Sequence, residues 1–135
     1  MRFLDTNILL YSVSSNPEER AKREIAQQLL LGRDNALSVQ VLQEFYAQST
    51  RAARPGTLTH DAAVSLIHVW LRFPIQSMTV AVMRDALDIK VQTGFSYWDA
   101  AIVSAARALG CTELLSEDMQ HGRKIGGMTI VNPFR

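Results

Sequence analysis

Short apolar runs alternate with longer stretches of helical periodicity along this chain. The apolar runs at Arg2–Leu4, Ala36–Ser38, Glu113–Leu115 and Met128–Val131 predict buried strands, and Ile75–Met78 predicts a further one. Between them, apolar residues recur every three or four positions, as in helices that cover a sheet. Strands that alternate with helices predict an α/β fold, in which a central parallel sheet of four to five short strands has helices on both faces.

Polar residues, proline and glycine mark the ends of the predicted helices. Thr6 or Asn7 is expected to cap the first helix, and glycines are expected to end several of the others. Thr59 and Thr79 are expected to cap two later helices. The predicted helices cover Ile8–Tyr11, Pro17–Leu31, Gln40–Arg51, a segment from Thr59 to Leu71, a segment from Thr79 to about Gly94, and Ser96–Leu109.

Composition narrows the class of protein. The chain has 135 residues, of which 47% are hydrophobic and 20% charged, so we expect one folded domain over residues 1–135. One cysteine excludes an internal disulfide, and no apolar run approaches the ~20 residues of a membrane span. The first residues lack the apolar run of a secretory signal, so we expect a cytoplasmic protein.

Four acidic residues occupy positions that suggest a common site. Asp5 directly follows the first predicted strand, and Asp118 comes shortly after the Leu114-Leu115 strand. Parallel strands deliver such residues to one edge of the sheet, where open α/β folds bind ligands. Asp99 near a helix start and Glu44, one turn into another helix, are candidates to join them.

Each acid also has a structural explanation. Asp99 stands three residues after Ser96, the spacing of a capping box. Glu44 is a helical glutamate, yet it falls at the edge of an apolar face, which predicts a half-buried position. Asp5 suits a strand-ending turn. Glu117, which precedes Asp118, is an equally available carboxylate for the same position in the site.

Converging carboxylates repel one another unless a cation neutralises them. Mg²⁺ and Mn²⁺ favour carboxylate oxygens, and such an ion would acidify a bound water and neutralise charge on a phosphate. The three histidines are far apart in sequence and show no zinc-ligand spacing. The acidic set therefore favours a magnesium or manganese site.

Five segments of the chain resemble the PIN-domain ribonucleases, and among them the VapC-type toxins of prokaryotic toxin–antitoxin pairs. They are FLDTNIL at 3–9, QEF at 43–45, SYWDAAI at 96–102, LLSEDM at 114–119 and MTIVNPF at 128–134. The resemblance covers nearly the whole chain. It implies a three-layer fold with a parallel sheet, and cleavage of RNA at an acidic site that binds Mg²⁺ or Mn²⁺.

The resemblance also implies residue roles and partners. Asp5, Glu44, Asp99 and Asp118 match the four metal-binding and catalytic acids, in that order. The polar residues that would support them are Thr6, Asn7 and Ser116. A cognate antitoxin that blocks the site is implied, and so is a homodimer.

Charge adds modest support for an RNA partner. The net charge is +1, and of the thirteen acidic residues four are site candidates, which leaves nine against fourteen basic residues. The candidates for phosphate contacts are Arg51, Arg54, Arg123 and Lys124, although any one of them is an ordinary solubilising charge in the alternative interpretation.

Two other functions fit part of the pattern. A phosphate hydrolase of the haloacid dehalogenase-like class would use Asp5 as nucleophile, but it needs a second Asp where Asn7 stands, and only Lys124 is a candidate for its lysine. A non-catalytic RNA- or protein-binding module is the other alternative. Tyr97 and Trp98 suit stacking on a base, but we expect Trp98, like Trp70, to pack in the core.

Overall fold

A computed structural model describes all residues from 1 to 135. It contains six strands and six helices. The strands are β1 (Arg2–Leu4), β2 (Asn35–Ser38), β3 (Ile75–Gln76), β4 (Glu113–Leu115), β5 (Lys124–Ile125) and β6 (Met128–Val131). The helices are α1 (Thr6–Ser12), α2 (Arg20–Leu31), α3 (Val39–Ser49), α4 (His60–Trp70), α5 (Val80–Thr93) and α6 (Tyr97–Ala108).

The strands form one sheet in the order β3-β2-β1-β4-β6-β5. All pairs are parallel except β5 with β6. The chain moves from β1 through β2 to β3, then returns to the other side of β1 to form β4. Because crossovers between parallel strands are right-handed, this reversal places α5 and α6 on the face opposite α1–α4. The predicted α/β fold with helices on both faces is confirmed.

The sheet is larger than predicted because of one short hairpin. β5 runs antiparallel to β6 and pairs Ile125 with Met128 across Gly126 and Gly127. Gly126 has a φ of +59°, which favours glycine, and such turns join strands in tight hairpins. The Gly-Gly pair in the sequence is the signal for this turn, but a two-residue strand has too little alternation to be recognised.

Local signals defined most helix boundaries. The side chains of Thr59, Thr79 and Ser96 each accept a hydrogen bond from a backbone amide three residues later. The predicted cap of α1 is wrong: Asp5, rather than Thr6 or Asn7, is the cap residue. The helix begins earlier than predicted because the sheet pairing ends at the Asp5 amide, which donates to Leu115 of β4, and the chain turns into the helix at the next residue.

The two tryptophans have opposite environments. Trp70 is 4% exposed and packs against Phe45, with ring centroids 4.7 Å apart. Trp98 is 63% exposed, so its predicted place in the core is wrong. It lies in the first turn of α6, before the buried alanine-rich segment that begins at Ala100.

None of the six helices combines the length and apolar character needed to cross a bilayer.

Candidate metal-binding site

The strand order creates a crevice between β1 and β4. Connections leave these two adjacent strands in opposite directions, and ligands of open α/β sheets bind outside the strand ends at such a point. Leu4 pairs with Leu115 at the carboxyl ends of the two strands. The next residues, Asp5 and Ser116, therefore meet at the floor of the crevice.

Asp5 is the most constrained acid of the crevice. Its side chain is held at both oxygens, because Oδ1 accepts from the Thr6 amide at 2.7 Å and Oδ2 accepts from Ser116 Oγ at 2.7 Å. Burial raises the pKa of Asp5 from 3.8 to about 7, although the two hydrogen bonds oppose the shift. The negative charges of Asp99 and Glu44 are smaller contributions to the same rise in pKa. A cation in the crevice would favour the ionised form.

Glu44 approaches the floor from α3. As predicted, its side chain is half-buried. Its Oε1 accepts from Thr6 Oγ1 at 3.1 Å and from Gln40 Nε2 at 3.4 Å, whereas Oε2 accepts no hydrogen bond. Thr6 therefore links two of the acids, because its amide binds Asp5 and its hydroxyl binds Glu44.

Asp99 and Asp118 form the rim of the crevice. Ser96 accepts a hydrogen bond from the Asp99 amide at 3.2 Å, so this end of α6 has the predicted side-chain cap. The pKa of Asp99 is raised by partial burial and then by the charge of Asp118, whereas a hydrogen bond with Ser96 lowers it. Asp118 is exposed, and its Oδ2 accepts from Asn7 Nδ2 at 3.1 Å.

Glu117 and Asp118 have different partners. Glu117 Oε1 accepts from Lys22 Nζ at 2.8 Å, and Glu117 Oε2 is buried with no hydrogen-bond partner. Asn7 accepts from the Glu117 amide with its carbonyl oxygen at 3.5 Å and donates to Asp118 with its amide nitrogen. The structure thus brings Asp118 toward Asp99 and directs Glu117 toward α2.

The donor set fits a hard divalent cation. No group of three or more acids, histidines or cysteines is arranged to hold one ion directly. Mg²⁺ commonly takes one or two carboxylates and keeps several waters. The four acids are therefore suited to an ion bound directly by one or two of them and reached through water by the others.

Gln40 is a residue that the sequence analysis missed. It is 7% exposed, and its Nε2 donates to the Trp98 carbonyl at 3.1 Å as well as to Glu44. Its Oε1 is buried without a partner. Both neighbours are acceptors, which assigns the nitrogen to them. The available signal was spacing, because Gln40 and Glu44 lie four residues apart on one helix face.

The basic candidates are not all near the acids. Arg51 and Arg54 line a groove of about 540 Å³ beside the turn at Ser14–Pro17, and no hydrogen bond or ion pair connects them to the four acids. The Arg123 guanidinium lies 4.8 Å from the centroid of Phe95, just before α6. Lys124 is exposed on the edge strand β5. Of the four, only Arg123 has a contact near the rim.

The architecture defines the class: an open-sheet α/β protein with an acidic crevice at the reversal of strand order. The family model described as "PIN domain" matches residues 2–125. The chain belongs to the PIN domain family, as the sequence resemblance predicted. A comparison with curated proteins found no match.

Solved structures with the same fold include toxins and toxin–antitoxin complexes. The Mycobacterium tuberculosis VapC20 toxin, described as cleaving the sarcin–ricin loop, is 20% identical with a TM-score of 0.66, over 84% of this chain and 87% of that one. A toxin–antitoxin complex from Klebsiella pneumoniae is 18% identical with a TM-score of 0.71, over 98% of each chain. VapBC2 from Rickettsia felis, bound to promoter DNA, is 19% identical with a TM-score of 0.62, over 96% of each chain.

Proposed function

We propose that this protein is a metal-dependent endoribonuclease, a VapC-like toxin that hydrolyses RNA phosphodiester bonds in the acidic crevice. The observation that carries the proposal is the buried Asp5 carboxylate, held at both oxygens and surrounded by the charges of Glu44 and Asp99. Burial of an acid among acids is unfavourable for folding, which points to a cationic ligand. Membership of the PIN family and the RNA-cleaving toxin of the same fold support the choice of substrate.

The four acids divide into two pairs in this proposal. Asp5 and Asp99 would hold the principal Mg²⁺ or Mn²⁺, and Glu44 and Asp118 would hold a second ion or orient the attacking water. Thr6 and Ser116 fix the floor carboxylates, and Asn7 fixes Asp118. When bound, the ion lowers the pKa of a water ligand and neutralises charge on the phosphate.

None of the three histidines is hydrogen-bonded to the four acids, and His68 lies exposed in the last turn of α4. His60 Nδ1 is engaged with the Tyr46 hydroxyl at 2.8 Å, and His121 Nδ1 accepts from the Asn132 amide at 2.9 Å. Glu44 is better placed to orient a water, because its Oε2 is not engaged by the protein.

The contacts of Asp5 and Asn7 argue against the phosphate hydrolase with an aspartyl nucleophile. Both Asp5 oxygens already accept hydrogen bonds, and the side-chain amide of Asn7 donates to Asp118 instead of supplying a second carboxylate. Lys124 lies on the edge strand, separated from β1 by β4 and β6. We therefore favour phosphodiester hydrolysis assisted by a metal ion.

A cognate antitoxin and a second copy of the chain are the proposed protein partners. The toxin–antitoxin complexes of the same fold support the first. Support for a dimer comes from exposed apolar residues on α4 and α5, which are Val69, Val80, Met83, Leu87 and Val91. Light scattering after size exclusion tests the dimer, and a monomer at high concentration would contradict it. A cytoplasmic location also stays a prediction.

One assay separates the candidate functions. The purified protein is incubated with RNA and, separately, with a phosphate monoester, each with Mn²⁺ and with EDTA. EDTA-sensitive RNA cleavage supports the nuclease, ester turnover supports the phosphatase, and neither activity supports a binding module. Sequencing of RNA ends after brief expression would then identify the target.

The Asp5→Asn and Asp99→Asn variants assign the activity to the crevice. We expect each to reduce RNA cleavage at least about 100-fold, because removing a carboxylate ligand weakens metal binding. Asp88→Asn is the matched control, since Asp88 is an exposed acid on α5. Wild-type cleavage rates in the two crevice variants with Mn²⁺ present would overturn the assignment.

A further inference from the structure

Trp98 is an exposed tryptophan that folding does not explain. With 63% of it accessible, its indole forgoes most of the stabilisation that burial of a large aromatic ring provides. Trp70, the only other tryptophan, is 4% exposed. Among the ten exposed large apolar side chains of the protein, Trp98 is the only aromatic one, and it directly precedes Asp99 of the crevice.

The backbone of Trp98 is anchored to the crevice. Its carbonyl accepts the Gln40 side-chain amide at 3.1 Å, and the same nitrogen lies 3.4 Å from Glu44 Oε1. Asp99 is the next residue in α6. The indole therefore projects from a main chain that lies two hydrogen bonds from one candidate acid and one residue from another.

Two more aromatic residues lie in the same segment, and a cation contacts one of them. The Tyr97 ring lies edge-on to the indole, with centroids 5.0 Å apart and planes at 78°. Phe95, three residues before Trp98, carries the Arg123 guanidinium 4.8 Å from its ring centroid. Phe95, Tyr97 and Trp98 thus form an aromatic segment at the start of α6. Aromatic faces combined with arginine are the features that bind single-stranded nucleic acid.

We propose that the Trp98 indole stacks on an unpaired nucleobase of the RNA whose phosphate occupies the acidic crevice. This inference rests on the proposed function and adds a base subsite to it. A planar base can stack on the Trp98 indole, because the indole is exposed and the main chain that carries it is held by Gln40. Arg123 supplies positive charge near the adjoining phosphates. An apolar protein segment is less suited, because α6 has no exposed large apolar side chain other than Trp98 and the next residue is the acid Asp99.

Intrinsic fluorescence tests the base contact without requiring cleavage. A short unstructured RNA is titrated in EDTA, alongside an abasic ribose-phosphate oligomer of equal length. We expect RNA to quench the exposed Trp98 but not the buried Trp70, and the abasic oligomer to quench little. Equal quenching by the two oligomers, or none by RNA that binds in an independent assay, would overturn the proposal.

Substitution of Trp98 provides the second measurement. Trp98→Leu should weaken RNA binding about 5-fold to 100-fold, the effect of losing one stacked base, and raise KM while kcat changes less than about twofold. Trp98→Phe should restore most of the binding. The hydrogen bond to Gln40 uses the backbone carbonyl, so both variants retain it. Leu31→Ala, which removes an exposed apolar side chain at the end of α2, is the matched control.

The outcomes distinguish this inference from the proposed function. RNA cleavage with unchanged KM in Trp98→Leu would contradict the base subsite and leave the nuclease intact. Base-dependent quenching without any cleavage in Mn²⁺ would support the subsite and contradict the nuclease. If Trp98→Leu alters only the oligomeric state or antitoxin binding, the surface contacts protein and the proposal fails.

Discussion

The floor and the rim of the crevice hold their acids in different ways. On the floor, Asp5 is 5% exposed and receives two hydrogen bonds of 2.7 Å, one from Ser116, directly after β4, and one from Thr6, in the first turn of α1. On the rim, Asp118 is exposed and accepts a single side-chain hydrogen bond of 3.1 Å. The floor is thus preorganised by the ends of β1 and β4, whereas Asp118 of the rim lies in the loop that follows β4.

This difference has an electrostatic consequence. Asp5 is buried, and desolvation raises its pKa to about 7. Asp118 is exposed, so water solvates its carboxylate. The floor therefore gains most from a bound cation. Of the two rim acids, Asp99 is the one proposed to share the principal ion with Asp5, whereas the exposed Asp118 would mainly shape where water and phosphate can lie.

The sharpest test of the rim compares two adjacent acids. Asp118→Asn should reduce RNA cleavage about 10-fold to 100-fold, because the variant keeps an acceptor for Asn7 but loses the charge that faces Asp99. Glu117→Gln should change cleavage less than about twofold, since Glu117 is paired with Lys22. Steady-state cleavage rates of the two variants measure this, and a larger loss in Glu117→Gln would reverse the assignment.

Variants of Gln40 test whether metal binding at the floor depends on a residue that holds Glu44 but is not itself one of the four acids. Gln40→Leu should weaken Mn²⁺ binding about 10-fold, because Glu44 loses one of its two donors. Titration calorimetry with the metal-free protein measures it. Gln40→Glu should be worse than Gln40→Leu, since it would place a carboxylate oxygen against two acceptors, the Glu44 carboxylate and the Trp98 backbone carbonyl. Equal metal affinity in all three proteins would exclude this role.

The pH dependence of stability tests the burial of Asp5. The native state retains the Asp5 proton up to about pH 7, whereas the unfolded chain releases it near its ordinary pKa of 3.8. The native state therefore binds more protons in this window, and the contribution of Asp5 to the free energy of unfolding falls as the pH rises through it.

The Asp5→Asn variant lacks the titrating carboxyl, so it does not lose this contribution to the free energy of unfolding as the pH rises. Without metal, we expect the variant to exceed the wild type by at least about 1 kcal/mol, or a few degrees in Tm, at pH 8, with the gap closing toward pH 4. Mg²⁺ at pH 8 should stabilise the wild type more than the variant. Thermal unfolding at both pH values measures this, and a gap that grows toward low pH would contradict the shift.

The smallest expected effect concerns the groove far from the floor. Arg51→Ala should weaken RNA binding a few-fold and reduce the slope of log affinity against log salt by about 1 if Arg51 contacts a phosphate. The structure places Arg51 in a groove with Arg54, without contacts to the acids. A salt titration of RNA binding decides it, and an unchanged slope rejects the contact.

Much of the fold follows from local patterns. Threonine and serine caps at Thr59, Thr79 and Ser96 lie where the sequence predicts, because capping depends on amides only three residues away. The strand-end position of Asp5 was also predictable, since β1 is short and apolar and is followed at once by polar residues. The half-buried position of Glu44 followed from its angle on the apolar face of α3.

The sequence by itself determined the alternation of strands and helices and the order of the acidic residues, because periodicity and capping act over a few neighbouring residues. Only the tertiary structure decided which of Glu117 and Asp118 faces the crevice, because Lys22 and Asn7 lie far away in the chain. It also placed Gln40 between two helices and left Trp98 exposed. These outcomes depend on which segments the sheet order brings together, and no local pattern contains that information.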